Sequence, residues 1–166
     1  MNDANKSDLA TRAQLQERVL DRQLEWIRGA DTKVTIVIGF DTALLGSLAL
    51  LAAPSENLGW RHVVLGACAL TALLSLILCV VATFPRTKGP PGSLIYFGGI
   101  AKHSPDSYHE AVVGRNEAEY LRDLNSQCHR NAVIAKHKYS ALRHAMGWLM
   151  AGIVSWLLTL YFLCAP

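Results

Sequence analysis

Three long apolar runs limit what this sequence can fold into. Residues 34–53, 63–84 and 146–164 each come close to the roughly 20 helical residues that cross a hydrocarbon core about 30 Å thick. The second and third runs contain no Asp, Glu, Lys or Arg, and the first contains Asp41 alone. We therefore predict an all-α membrane protein with three transmembrane helices.

Lysine and arginine are distributed unevenly around these runs. Six lie in residues 1–33 and nine in residues 85–145, whereas the connector between the first two runs contains only Arg61. Because short cytoplasmic segments carry the excess of basic residues, the N-terminus and the middle segment should face the cytoplasm. The first run follows a charged segment of 33 residues, which does not resemble a cleaved signal peptide. We predict a multi-pass membrane protein that has the lipid bilayer as a partner.

Two amphipathic helical segments are predicted on the cytoplasmic side. In residues 8–33 the apolar face consists of Leu9, Ala13, Leu20, Leu24, Ile27 and Ala30. In residues 117–145 the helical repeat consists of Leu121, Leu124, Cys128, Ala135 and Leu142. Spacings of three, four and seven residues place such side chains on one helix face. No break signal separates the second segment from the third span, which predicts one long helix.

The segment between these helices contains turn and helix-start signals. Proline and glycine in "PRTKGPPGS", residues 85–93, cannot continue a helix. Ser104, Pro105 and Asp106 together suit a helix start, and Gly114 suits an interruption. The predicted organisation is a cytoplasmic helix (1–33), a two-span transmembrane hairpin (34–84), a cytoplasmic linker and helical region (85–145) and the third transmembrane helix (146–166).

The sequence contains no signature of an enzyme or of a metal centre. It has no Walker loop, no GxSxG and no HExxH, and its glycines in "FGGIAKH" do not follow the GxGxxG pattern. The six histidines include no pair at i and i+4. We predict a protein that is not an enzyme, with no catalytic residue, no metal, no cofactor and no nucleic-acid partner.

Basic and aromatic residues of the middle segment allow two interpretations. Charge-assisted hydrogen bonds to a phosphate, together with stacking on a base, would make a nucleotide site. The same basic residues could instead form surface ion pairs with nearby acidic residues. The candidates for phosphate are Arg115, Arg122, Arg130, Lys136, Lys138 and Arg143, and those for stacking are Tyr96, Phe97, Tyr120 and Tyr139.

Asp41 is the one acidic residue within the three runs, and small residues recur beside it. A central aspartate is costly in lipid and usually faces a partner or water. Small residues repeat every four positions as Gly39–Ala43–Ser47, Ala67–Thr71–Ser75 and Gly147–Ala151–Ser155. Such stripes allow helices to approach closely, although small residues are also common in membrane helices. Asp41 lies about 200° around the helix from Gly39, so we predict that it meets another subunit, water or a proton.

The order of these features resembles the transmembrane effectors of Pycsar, a bacterial anti-phage system. The resemblance covers nearly the whole chain and lies in "LEWIRGADTK" before the first span, "IYFGGIA", and "YLRDLNSQCHRNAVIAKHKYSALRHA" before the last. Its most specific positions are Asp31, Lys33, Tyr96, Phe97, Asp123, Leu124, Gln127 and Lys136.

The resemblance implies a function that the residue pattern alone does not indicate. In such systems a nucleotide cyclase makes cUMP or cCMP after infection, and the effector then impairs the inner membrane, which causes abortive infection. We therefore predict a homo-oligomeric inner-membrane effector with Asp31, Lys33 and Asp41 as candidates for the membrane function. The alternative is a non-enzymatic membrane scaffold whose cytoplasmic helices bind a protein partner.

Overall fold

A computed structural model describes residues 3–51 and 59–164. Within these residues the elements are five helices: α1 (Asp3–Leu51), α2 (Trp60–Thr83), α3 (Phe97–Ile100), α4 (Pro105–Val113) and α5 (Glu117–Cys164). Three of them, α1, α2 and α5, contain a stretch long and apolar enough to cross a membrane. The predicted fold class, an all-α protein with three membrane helices, is confirmed.

Local sequence signals determine where α4 and α5 begin. Ser104 caps α4 by accepting the backbone N–H of Ser107 at 3.3 Å, and Gly114 is the C-cap that follows the last residue of α4, Val113. Asn116 and Glu119 form a reciprocal capping box at the start of α5, with distances of 3.2 and 2.9 Å. The α5 helix then continues to Cys164 without a break. The predicted helix start, interruption and single long helix are confirmed.

The chain divides into two compact units. Met1–Arg28 and Pro85–Lys136 form the first, here called the head unit. Residues 29–84 and 137–166 form the second, here called the span unit. The helices α1 and α5 each contribute residues to both units without interruption.

In the span unit, α1, α2 and α5 pack through inner faces with an alternating three- and four-residue spacing. This spacing is the heptad pattern of left-handed helix packing. The Cys68 thiol donates to the Gly152 carbonyl at 3.4 Å, and Ser75 donates to the Ala145 carbonyl at 3.0 Å. Buried positions are Ala30, Val34, Val37, Asp41, Leu44 and Leu48 on α1, Cys68, Ala72, Ser75, Cys79 and Ala82 on α2, and Lys138, Leu142, Ala145, Leu149, Gly152 and Thr159 on α5.

Asp41 lies opposite the small-residue stripe of α1, as helix geometry predicts, but Asp41 and not the stripe faces the packing within the chain. Asp41 is completely buried in the span unit, whereas Gly39 and Ala43 of the small-residue stripe are exposed. The corresponding Gly147 and Ala151 on α5 are exposed as well. Four-residue stripes suit right-handed helix pairs, but these three helices meet along heptad faces. On α1 and α5 the heptad face lies on another side of the helix from the stripe, whereas on α2 the two share Ser75.

In the head unit, the inner face of α1 is more polar than the sequence indicates. Ala13 is buried as predicted, but Leu24 is exposed and its neighbour Gln23 is buried instead. The reason is again the heptad spacing, because Gln16 and Gln23 fall on the inner face and Leu24 one position past it. The Cys128 thiol of α5 donates to the Gln16 carbonyl at 3.7 Å. The predicted α5 face, by contrast, is buried or half-buried in both units.

Candidate functional site

The proline–glycine loop, residues 85–93, lies at the centre of the candidate site in the head unit. The Ser93 hydroxyl accepts the backbone N–H of Tyr96 at 3.0 Å. Gly92 has a positive φ of 68°, which favours glycine. A Cβ on Gly99 would lie 1.9 Å from the backbone oxygen of Ser93. The loop therefore folds closely against α3, and this arrangement requires glycine at position 92 in the loop and at position 99 in α3.

Asp123 of α5 anchors the end of this loop. Its carboxylate accepts the backbone N–H of Leu94 at 2.9 Å and the Arg115 guanidinium at 2.6 Å. Arg115 also donates to the Gly92 carbonyl at 2.8 Å. Because Asp123 is buried, these charge-assisted bonds are well shielded from water. Arg115 is thus already bonded to the protein, and it holds the loop in place.

A second set of bonds holds the beginning of the loop. Arg130 of α5 donates from Nε to the Lys88 carbonyl at 2.8 Å. The Tyr96 hydroxyl donates to the Thr87 carbonyl. The Tyr96 ring lies so close to Gly89 that a Cβ there would come within 2.1 Å of it. These contacts give the loop a defined shape although it contains no regular secondary structure.

Two cationic clefts flank the loop and share Lys88 in their linings. The first, of about 440 Å³, is lined by Lys102, His103 and Tyr96 together with glycine and proline residues of the loop. The second, of about 450 Å³, is lined by Ser126, His129 and Arg130. Neither lining includes an Asp or a Glu. Both clefts suit an anion, and their volumes lie in the range of small-molecule sites, about 300–1,000 Å³.

The structure brings some of the predicted nucleotide-binding residues to these clefts and leaves others elsewhere. Tyr96 lines the first cleft and Arg130 the second. Arg122 is exposed and lines a third cleft, of about 380 Å³, where Glu119 and Asp123 balance its charge and that of Arg115. Phe97 is exposed and contacts Tyr96, with ring centroids 4.5 Å apart. Lys136 is also exposed, and it lines none of these three clefts.

Sequence reasoning missed Lys88, Lys102, His103 and His129. Lys88 lies within the loop and Lys102 follows the glycines of α3, so basic residues beside a proline- and glycine-rich segment were the available signal. That signal is weak, because the two lysines are fourteen residues apart and meet only through the fold of the loop.

In the span unit, Asp31 and Lys33 both contact α5. Asp31 forms an ion pair with Lys138, whose side chain is only 11% exposed while that of Asp31 is 45% exposed. The Lys33 ammonium lies over the Tyr139 ring, 5.6 Å from its centroid. Lys138 is a sequence-based candidate for phosphate binding and Tyr139 for stacking, but in the structure both side chains contact α1. Together the two contacts join α1 to α5.

Asp41 occupies a core position of the span unit. Ser75 lies beside its carboxyl group, but the Ser75 hydroxyl donates its single proton to the Ala145 carbonyl. Neither carboxyl oxygen has a hydrogen-bond partner of good geometry among the described residues. A central aspartate in a membrane helix costs about 2.5–3.5 kcal/mol on insertion scales. Among the described residues, the packed helices supply no hydrogen bond of good geometry that offsets this cost.

Tyr120 gives the head unit a pH-dependent contact. It donates to Glu17 at 2.7 Å. Burial, this hydrogen bond and the charges of Glu17 and Asp123 raise the pKa of Tyr120 from 10.0 to about 12. The folded state thus holds the phenolic proton more tightly than the unfolded chain, so the contribution to stability is complete below pH 10 and disappears between pH 10 and about 12.

We expect denaturant titrations to show this effect directly. The free energy of unfolding should fall across the same pH range, and Tyr120→Phe should make the fall shallower. An unchanged slope in the variant would contradict the assignment.

The sequence is similar to those of known proteins. A sequence model of the Pycsar effector protein domain matches residues 15–165. The Pycsar effector protein PtPycTM of Propioniciclava tarda is 28% identical over 151 residues, an alignment that covers 82% of this chain and 72% of that protein. No solved structure matches.

Proposed function

The chain belongs to the Pycsar effector family, and on that premise we propose that cUMP or cCMP activates it to impair the bacterial inner membrane. The family relationship makes it an anti-phage defence effector with membrane helices. We further propose that a nucleotide cyclase supplies the ligand, that the protein acts as a homo-oligomer, and that the outcome is abortive infection. The N-terminus and the head unit face the cytoplasm, where the cyclic nucleotide is made.

The two cationic clefts on the head unit carry this proposal. A cyclic mononucleotide has one negative charge on its phosphate and a flat base. Lys88 and Lys102 supply positive charge in the first cleft, and no acidic residue lines it. Tyr96 supplies an aromatic wall, on which a base can stack. The charge and the size of the cleft thus both match the ligand.

Activation requires that the ligand bind one arrangement of the protein more tightly than another. Since Arg130 and Asp123 of α5 hold the loop, a ligand that changes the loop acts on α5 directly. The α5 helix continues without a break into its membrane-spanning part. A shift or rotation of α5 is therefore the simplest route from the nucleotide to the membrane.

Measuring nucleotide binding to the purified protein tests whether the two clefts are the binding site. Lys88→Ala removes the cation that lines both clefts, and we expect the Kd for cUMP or cCMP to rise about ten- to a hundredfold, the usual cost of a hydrogen bond to a charged group. Calorimetric titration in detergent measures it.

The matched control is Lys136→Ala, an exposed basic residue of α5 outside the described clefts. It should change the Kd less than about threefold, because Lys136 lines neither cleft and an exposed charge outside the site contributes little. If Lys136→Ala weakens binding and Lys88→Ala does not, the site lies elsewhere.

The membrane function is tested in bacteria that express the protein while cUMP or cCMP is raised. Membrane potential, followed with a voltage-sensitive dye, should collapse only when protein and nucleotide are both present. An unchanged potential with correctly inserted protein contradicts the proposed function.

A further inference from the structure

The inner faces of the three membrane helices carry more polarity than packing requires. On α2 the buried positions are Cys68, Ala72, Ser75, Cys79 and Ala82. They face the buried α1 positions, among which Asp41 lies between the apolar residues Val37 and Leu44. An apolar residue at position 41 would pack in lipid surroundings without the cost of a carboxyl group. The polar inner face therefore calls for an explanation beyond stability.

No basic side chain is available to Asp41 within the membrane. Residues 34–51 of α1, 63–83 of α2 and 145–161 of α5 contain no Lys, Arg or His. From α2, the Cys79 thiol, itself fully buried, is close enough to interact electrostatically with Asp41. From α5, Ala145 and Leu149 face the same core. Asp41 is thus a solitary carboxyl group with no counter-charge.

We propose that Asp41 lines the ion path of the activated protein and makes that path selective for cations. This inference rests on the proposed function, namely that activation breaches the membrane. When α1 separates from α2 and α5, water reaches the inner faces, and Asp41 and Ser75 become hydrated. The carboxylate then attracts cations and repels anions at the narrow stretch between the helices, as acidic residues do in cation channels.

The expected size of the effect follows from the charge. Two unit charges about 4 Å apart in water change the local concentration of an ion about fivefold. Because cations are enriched and anions are depleted, the permeability ratio of K⁺ to Cl⁻ should exceed about five. With a neutral residue at position 41 the ratio should fall to about one.

Reversal potentials in proteoliposome-derived bilayers measure this ratio. The full chain is reconstituted, cUMP or cCMP is added, and a KCl gradient is imposed. Asp41→Asn keeps the shape of the side chain and should abolish the cation preference while the conductance persists. Asp41→Glu keeps the charge and should retain the cation preference. Thr42→Val, an exposed neighbour on α1, is the matched control and should leave the ratio unchanged.

Cys79 offers an independent readout of the same path. In a variant with Cys68→Ala, Cys128→Ser and Cys164→Ser, a cationic thiol reagent should modify Cys79 only after nucleotide is added. Asp41→Asn should slow this modification about fivefold, whereas it should speed modification by an anionic reagent.

The outcomes separate the inference from its premise. If neither nucleotide produces a conductance, the proposed function fails and this inference fails with it. A conductance without cation preference, or one whose preference survives Asp41→Asn, overturns this inference alone. A Cys79 that stays unreactive while the conductance is open also overturns it, because the path then runs elsewhere.

Discussion

Gly99→Ala should disrupt the proline–glycine loop and abolish nucleotide binding. The new Cβ would lie 1.9 Å from the Ser93 oxygen and 3.0 Å from the Ser93 carbonyl carbon, and both are backbone atoms. Ser93 cannot move away easily, since it is buried and its hydroxyl accepts the N–H of Tyr96. We expect a loss of stability of about 3 kcal/mol, the upper end for overpacked sites. Thermal unfolding in detergent, followed by tryptophan fluorescence, measures it.

Gly147→Ala is the matched control for this substitution. A Cβ on Gly147 would meet nothing within 4 Å, and alanine favours a helix over glycine by about 1 kcal/mol. This variant should therefore unfold at the same or a higher temperature and should bind nucleotide normally. A Gly99→Ala protein as stable as Gly147→Ala would show that the loop does not pack on α3 as described.

The ion pair between Asp31 and Lys138 should respond asymmetrically to substitution. Asp31→Asn leaves the Lys138 ammonium, whose side chain is 11% exposed, without its carboxylate. Lys138→Met leaves the Asp31 carboxylate, which is 45% exposed and can be hydrated instead. Removing the partner of a buried charge costs about 3 kcal/mol, whereas an exposed charge loses less than about 1 kcal/mol. Asp31→Asn should therefore unfold at a clearly lower temperature than Lys138→Met.

Membrane leakage gives a second measurement of this pair. Because the pair joins α1 to α5 in the span unit, Asp31→Asn should raise leakage in the absence of nucleotide. The double variant Asp31→Lys with Lys138→Asp restores opposite charges and is the control for the pairing itself. Equal destabilisation by the two single substitutions would contradict the assignment of Lys138 as the buried partner.

Several features of the fold are readable from the sequence because they are local. Ser104 caps α4 through a hydrogen bond to Ser107, three residues away. The heptad spacing of Leu124, Cys128 and Ala135 predicts the buried face of α5. Such features depend on helix geometry and on neighbouring residues, so tertiary contacts change them little.

The candidate site is less readable, because its residues converge from separate elements. Arg115 is indistinguishable in sequence from a phosphate ligand, yet in the structure it bonds to Asp123 and to the Gly92 carbonyl. Lys88 lines its clefts from a loop that is held by distant residues, among them Arg130, which donates to the Lys88 carbonyl from forty-two positions away along the chain. Neither spacing nor composition records these long-range bonds.

The sequence by itself determined that the chain has three membrane helices, because an apolar run of this length satisfies its backbone hydrogen bonds in lipid only as a helix. It also determined where those helices carry Asp41 and the small residues. Only the tertiary structure decided which side of each helix faces the others. The small-residue stripes and the heptad faces are both compatible with a helix, and the choice depends on the handedness with which α1, α2 and α5 cross. That choice buried Asp41 and exposed Gly39.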